Sequence, residues 1–534
     1  MNMEDMKQRH SHIPAAPYHG LLLAVLLPAV LLLTACGNKI PQTFTESDEL
    51  PDIYPDYTNV TVPVNIAPLT FQPGSKADGI VARLTAGDEE VICGGSKVQP
   101  GMGQWRRLVR TALSRQPSAI QVEVYVDKYS HWTRFKPFLI YVSGDSIDPY
   151  ISYRLIPPSY VVYEDLTICQ RCLENYDESV VYDNMLCSEG AQGQCINCHS
   201  YQQYNPDRMQ FHARHHQGGT IIAYDGHIKK VNLHNDSLLS AGVYPAWHPW
   251  LQLIAYSTNL TAQTFHAVHP NKVEVFDTQS DLIAYDAEKN EVFYIENDPT
   301  ELECFPSWSP DGKALYYCSA HFEYQDTIDH GQEFLMRTEE VKYNLYKKRF
   351  NPETLQFGPR ELVFSADTMH RQAASQSVTS PRGGMSATLP RISPDGRYLM
   401  FTLAQYGVFH IWHHDADLWL LDLQTGEARN MLEINSPDTE SYHSWSSNGR
   451  WVVFSSRRYD GNYTRPFIAH IDSSGHGSKP FELPSADPDY HRQFLKCYNI
   501  PEFMRGPVTI RPQRFADIIK QDAEPVRYVS KSPI

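Results

Sequence analysis

Beyond residue 33 this 534-residue chain has no apolar run long enough to cross a bilayer, because a helical span needs about 20 consecutive apolar residues. It has no basic block either: 46 Lys and Arg stand against 62 Asp and Glu, a net charge of -16. That balance argues against a nucleic-acid partner, which would require a basic stripe or patch. There is no Gly-x-Ser-x-Gly elbow, so the exposed serine that such a strained turn presents is missing. A Gly-rich phosphate loop is missing too. Aromatic residues, by contrast, are plentiful, and 32 of them are Tyr.

The one long apolar run, Leu21 to Leu33, follows the basic residues Lys7, Arg9 and His10. As a helix it would extend about 20 Å, short of the ~30 Å hydrocarbon core, a length suited to a signal peptide over residues 1–35. It ends in Leu33-Thr34-Ala35-Cys36, which resembles the lipobox of bacterial lipoproteins. The resemblance implies a lipid on Cys36 that binds the protein to a membrane, and Gly37 in place of Asp points to the outer membrane. The alternative is an ordinary signal peptide with a chance Cys.

Residues 36–56 are polar and Pro-punctuated and read as a tether. Residues 57–163 read as a β-rich domain: Ala119 to Val126 alternates apolar and polar with period two, while Trp105, Leu108, Val109 and Leu113 have helical spacing. Residues 164–219 hold five of the ten cysteines and form a Cys/His-rich segment. Strand patterning resumes over 220–484, and 485–534 reads as a C-terminal closing segment packed against what precedes it.

Within 220–484 a degenerate unit recurs: Tyr244-Pro-Ala-Trp247, Phe305-Pro-Ser-Trp308-Ser-Pro-Asp-Gly312, Leu389-Pro-Arg-Ile392-Ser-Pro-Asp-Gly396 and Tyr442-His-Ser-Trp445-Ser-Ser-Asn-Gly449. Each copy leads through a turn to an apolar strand, and Asp-Gly or Asn-Gly supplies the positive φ of a tight hairpin. The unit resembles TolB-type β-propeller repeats. The resemblance implies a mainly β fold with a TolB-like propeller, four of its blades visible, and a protein partner docked on it.

The chemical clue is Cys195-Ile-Asn-Cys198-His199, the attachment motif of c-type haem. Two thiols three positions apart reach two vinyl groups of one porphyrin, and the next residue then ligates the iron. The run from Asp148 to His212 resembles TolB-like lipoproteins of Bacteroidetes, some of them cytochrome-related, in which this motif lies just before the propeller. The resemblance implies haem c and electron transfer. A distal ligand could come from Met185, Met209, His212 or His215, with Met209 and His212 nearest in sequence. Two alternatives stay open. Cys169, Cys172, Cys195 and Cys198 have the paired spacing of a zinc site, or they form structural disulfides in an oxidising compartment. A non-enzymatic scaffolding lipoprotein is then the functional reading. The cluster His410, His413, His414, Asp415 and Asp417 is a further candidate metal site.

Cys304 and Cys318 lie seven residues either side of Asp311. A hairpin turning there sets their Cβ atoms about 4.5–5.5 Å apart, close to disulfide range; the alternative is two buried thiols with Pro306 displacing the first strand. For the leader, Cys36→Ala should release the protein from the membrane fraction and remove the acyl mass from its N-terminal peptide. A wild-type mature form that is soluble and begins elsewhere would refute the anchor.

Overall fold

A computed structural model of the chain describes residues 39–158, 165–188, 193–325, 329–369 and 383–531. Cys36 and the leader lie outside these residues. The fold is mainly β, a propeller preceded by a β-rich N-terminal sheet. Among the described residues no helix is long and apolar enough to cross a membrane.

The N-terminal unit is a seven-stranded mixed sheet. Its central strand, Ala119–Lys128, runs antiparallel to Gly79–Ala86 and Phe138–Ser143. The alternation read from the sequence buries Ile120, Val122, Val124 and Val126. The helix Met102–Leu113 sets Trp105, Leu108, Val109 and Ala112 into the same core, one apolar stripe at helical spacing. Pairing begins earlier than the sequence suggested. Thr45–Glu46 runs parallel to His131–Arg134, so the tether expected over 36–56 is already sheet at Thr45. Both residues are exposed, so they carry no hydrophobic pattern to announce the strand.

The propeller has six four-stranded blades, and its ring of inner strands closes on itself. Blade I comprises Gln194–Tyr201, Met209–His215, Gly219–Tyr224 and His227–Asn232. Blades II to V begin with the inner strands Gly242–Trp247, Glu301–Trp308, Ser386–Ile392 and Glu440–Trp445. Blade VI is composite. Its inner strand is Cys497–Met504, and its outer three, Tyr150–Ile156, Thr167–Cys172 and Glu178–Asp183, precede blade I in the chain.

Two expected boundaries are corrected by this topology. The Cys/His-rich stretch 164–219 is no insert, since it supplies two strands of blade VI and the first two of blade I. The propeller begins at Tyr150 and not at 220. The closing segment 485–534 takes a definite form, because it contributes the inner strand of blade VI. Beyond that strand, Glu524–Pro525 and Arg527–Tyr528 pair in parallel with the outer strands of blades I and II.

All six inner strands share one irregularity. Cys198, Tyr244, Phe305, Leu389, Tyr442 and Ile500 have φ between 49° and 55°, and the ladder slips at or beside each of them. A left-handed conformation at a non-glycine residue costs about 1–3 kcal/mol and persists only where the surroundings over-determine it. Here the bulge re-aims the next residues toward the neighbouring blade. Four of the six following residues are Pro (245, 306, 390 and 501), which has no N–H to lose from the ladder.

Two residues after each of those prolines or their equivalents comes a bulky side chain that ties blade to blade. The Trp308 indole donates to the Ala246 carbonyl at 3.0 Å, and the Trp445 indole to the Arg391 carbonyl at 3.1 Å. The turn that follows is also chemically fixed. Ser309 Oγ donates to Asp311 Oδ1 at 2.6 Å and accepts from Ala314 N at 3.0 Å, with Gly312 at φ 59°. Ser393 with Asp395 and Ser446 with Asn448 repeat this arrangement. That is why Ser-x-Asp/Asn-Gly recurs in the sequence.

Trp247 and Trp308 are similarly buried, but the Trp247 indole nitrogen has no acceptor among the described residues. Replacing a bonded buried donor costs about 1 kcal/mol, whereas removing an unsatisfied one is close to neutral. Trp308→Phe should therefore lower stability in urea by about 1 kcal/mol more than Trp247→Phe. Equal losses would refute the inter-blade tie.

Candidate functional site

The six bulged residues meet on the propeller axis. Together they line a cavity of only about 30 Å³, so Cys198, Tyr244, Phe305, Leu389, Tyr442 and Ile500 plug the channel. On one side of the plug opens a funnel of about 920 Å³, and on the other a vestibule of about 350 Å³. The vestibule is lined by Trp247, Trp308, Trp445, Arg391 and Glu502, whose carboxyl is pushed up to about 7 by burial against the opposing pull of Arg391.

The funnel is formed by residues just before the bulges, such as Asn197, Val243 and Asn499, and by loops of blades I, II and IV. Arg154, on the second strand of blade VI, is buried in its wall. Its guanidinium donates to the Ile196 carbonyl and to Asn499 Oδ1, both at 3.0 Å. Arg214 lies beside it in the funnel lining and makes no ion pair or hydrogen bond to any described residue. His212 shares Nδ1 with Thr220 Oγ1 at 2.8 Å, while its Nε2 has no partner. Burial, and then the nearby Arg214, push His212 down to about 3, so its ring is neutral. Tyr244, Phe409, Trp412 and Tyr442 supply an aromatic wall. The Arg457 guanidinium sits 4.2 Å from the Trp412 ring centroid and holds the indole in place.

The haem motif lies in the inner strand of blade I, and there its residues part. Cys195 packs with Ile196, Met209, Phe211 and Cys497 in the core between blades I and VI. Cys198 faces the axial plug, where burial holds its thiol above the usual range. His199 is 1% exposed and pushed down to about 3 by burial and then by Arg154. The cavity touching Cys198 and His199 has the volume of about one water and is far below the ~300 Å³ at which small-molecule sites begin. As placed, these residues do not fit a covalent haem.

Blade V explains His199 instead. In Tyr442-His443-Ser444-Trp445 the histidine occupies the same position after the bulge, and its Nε2 donates to the Met400 carbonyl of the preceding blade at 2.9 Å. By ladder register Ser152 is to Glu502 what Met400 is to Arg391. The His199 ring lies against the backbone of Ser152 and Ile500, although neither ring nitrogen attains full hydrogen-bond geometry. His199 is thus the blade I counterpart of a histidine that clasps adjacent blades.

The remaining sequence candidates are also dispersed. Met209 is buried in the core between blades I and VI while His212 faces the funnel, so the two do not converge on one ligand position. Met185 is exposed, and His215 lies at the funnel rim. Cys169 and Cys172 sit on the third strand of blade VI, away from Cys198, and among the described residues no three His, Cys, Asp or Glu are grouped to hold a metal. The four cysteines of the zinc alternative are thus not brought together among the described residues, and no disulfide joins the nine described cysteines. Cys304 and Cys318 do face each other in register, as expected. Their sulfurs are not joined in the structure: the Cys318 thiol lies 3.3 Å from the Cys304 carbonyl, and the Cys304 sulfur 3.6 Å from Ser257 Oγ and Asn259 Nδ2. The bulge at Phe305 falls beside the pair.

The histidine cluster of blade IV also splits. His413 pairs with Glu274 at 3.1 Å, both fully buried; burial opposes the charge, but the Glu274 carboxylate outweighs it and holds His413 up. His410 bonds Thr388, His414 bonds Asp438, Asp415 accepts from Gln405 N, and Asp417 bonds Asn430. Arg154, Arg214 and Asn499 were not singled out by the sequence. A lone Arg inside Tyr150-Ile-Ser-Tyr-Arg-Leu-Ile156, where every neighbour reads as strand core, was the available signal.

No protein-family model matches the chain, and no curated protein matches it. Among solved structures it is similar to an oligogalacturonate lyase in complex with manganese, at 11% identity over 67% of this chain and 86% of that one, TM-score 0.28. It is also similar to the β-propeller domain of the Trilobed protease from Pyrococcus furiosus, at 10% identity over 69% and 96%, TM-score 0.30. Prolyl oligopeptidase B from Galerina marginata aligns at 10% identity over 78% of this chain and 62% of that one, TM-score 0.32. At these values none of them bears on activity.

If His199 clasps blades, protein matured in a host with haem-attachment machinery should carry no haem on the 195–199 peptide. Both thiols should alkylate once the chain is denatured. A haem mass on that peptide would reinstate the redox reading.

Proposed function

We propose that this protein is a lipid-anchored binding propeller of the bacterial envelope, which takes its ligand in the funnel above the axial plug. The observation that carries the reading is the funnel itself, about 920 Å³ in volume. This is near the upper end of the ~300–1,000 Å³ typical of small-molecule sites. Its walls combine aromatic faces with Asn, Thr and Arg groups, the mixture that orients a ligand while desolvating it. The lipobox at Cys36 supports the anchor. The haem-dependent alternative loses its support with the burial and divergence of Cys195, Cys198 and His199.

A thermal-shift screen of sugars, organic acids and short peptides tests the reading. A ligand bound only by the folded state raises the melting temperature as its concentration exceeds Kd. Ala241→Trp, at the exposed rim of the funnel, should abolish the shift while leaving the unliganded melt unchanged. A shift that survives this substitution would place the ligand elsewhere.

A further inference from the structure

The funnel lining does not share the strong acidity of the molecule as a whole. The chain carries a net charge of -16, yet the groups of fixed charge in the lining are Arg154 and Arg214 against Asp522, with the Asp277 carboxyl buried behind Asn259 and Thr261. Arg154 is 3% exposed and pairs with no carboxylate of the described residues; its contacts among them are one carbonyl and one amide oxygen. Its Nε has no hydrogen-bond partner among the described residues. A buried cation without a counter-ion carries a desolvation cost of several kcal/mol, and such a charge is retained where something else neutralises it. Arg214, half-buried in the same lining, makes no hydrogen bond or ion pair to any described residue. Each guanidinium carries the planar fork of N–H donors that binds a carboxylate in bidentate fashion. Low-dielectric walls focus their field toward the mouth.

The rest of the lining describes what the anion is attached to. Trp412 and Tyr244 offer ring faces, Asn232 and Gln263 offer amides, and the Thr261 oxygen, whose proton goes to Asp277, offers an acceptor. Aromatic faces with amide groups and an acceptor oxygen suit a ring that is apolar on its faces and hydroxylated at its edge. Resting on the funnel as the binding site, we propose that it takes a sugar acid, a carboxylate on a hydroxylated ring, with the carboxylate between Arg154 and Arg214 and the ring against Trp412 and Tyr244.

The test is calorimetric titration at low salt with D-glucuronate and a glucuronate-bearing disaccharide. D-glucose, the matching neutral disaccharide and inorganic phosphate serve as controls. The acidic disaccharide should bind at least tenfold more tightly than the neutral one and weaken as NaCl is raised, and phosphate should not displace it at equal concentration. Arg214→Gln should lower affinity at least tenfold with an unchanged melt, since Arg214 holds no protein partner; Arg154→Lys, which keeps the charge but loses the fork, should weaken binding as well. Equal binding of acid and neutral sugar, full affinity in Arg214→Gln, displacement by phosphate alone, or no binding of either acid would overturn the inference. If a neutral sugar binds and Ala241→Trp removes it, the funnel stands as a ligand site while the sugar-acid assignment falls. If sugars bind and Ala241→Trp changes nothing, the funnel reading itself fails.

Discussion

Six strands pass the axis side by side, and each does so through a non-glycine residue at φ near 50°. The rest of the architecture depends on that repeated bulge. It places one large side chain per blade on the axis and so closes the channel. It also frees the next position from the ladder, where Pro needs no partner and His can reach the neighbouring blade. The bulge then turns the following bulky residue outward into the inter-blade seam, where two indoles find carbonyl acceptors. Local strain of a few kcal/mol per blade is offset by burial of these anchors, since aromatic side chains carry the largest apolar area of any residue.

Much of this was legible in the chain, but only where the repeat kept its turn. Trp308, Ile392 and Trp445 are followed by Ser-x-Asp/Asn-Gly, whose hydrogen bonds require those residue types, so blades III to V announced themselves. Blades I and VI have the bulge and the anchor without the turn, as in Cys198-His-Ser-Tyr201 and Ile500-Pro-Glu-Phe503. In hindsight these match Tyr442-His-Ser-Trp445 and Leu389-Pro-Arg-Ile392 position for position. The Cys-x-x-Cys-His spacing concealed the first of them, because a five-residue motif carries no information on whether its backbone is loop, helix or strand. In a strand, side chains alternate between faces, so thiols three apart diverge unless the backbone intervenes. Composition was equally blind to blade VI, whose strands come from the two ends of the propeller sequence.

The funnel residues were harder to read. A single Arg among Tyr, Ile and Leu has many ordinary explanations, the commonest being a partnered core charge. What sets Arg154 apart is that it pairs with no carboxylate of the described residues, a property of two blades meeting and not of any one stretch of sequence. The same holds for Trp412, which belongs to blade IV yet faces a cavity shared with blades I, II and VI. By contrast His410, His413 and His414 looked like a cluster because they are adjacent in the chain, and the structure sends each to a different partner.

The composite sixth blade also imposes an order on folding. Tyr150–Ile156 is the first propeller strand in the chain, and its partner, Cys497–Met504, is the last of the blade strands. Until then the inner edge of the early strand presents unpaired backbone groups, the kind of edge that recruits other chains. Neither the axial plug nor the funnel can be complete before the final strand docks, since Ile500 and Asn499 belong to it. A nascent chain interrupted short of its C-terminus would therefore carry five blades and an open seam, a sticky intermediate with an incomplete funnel.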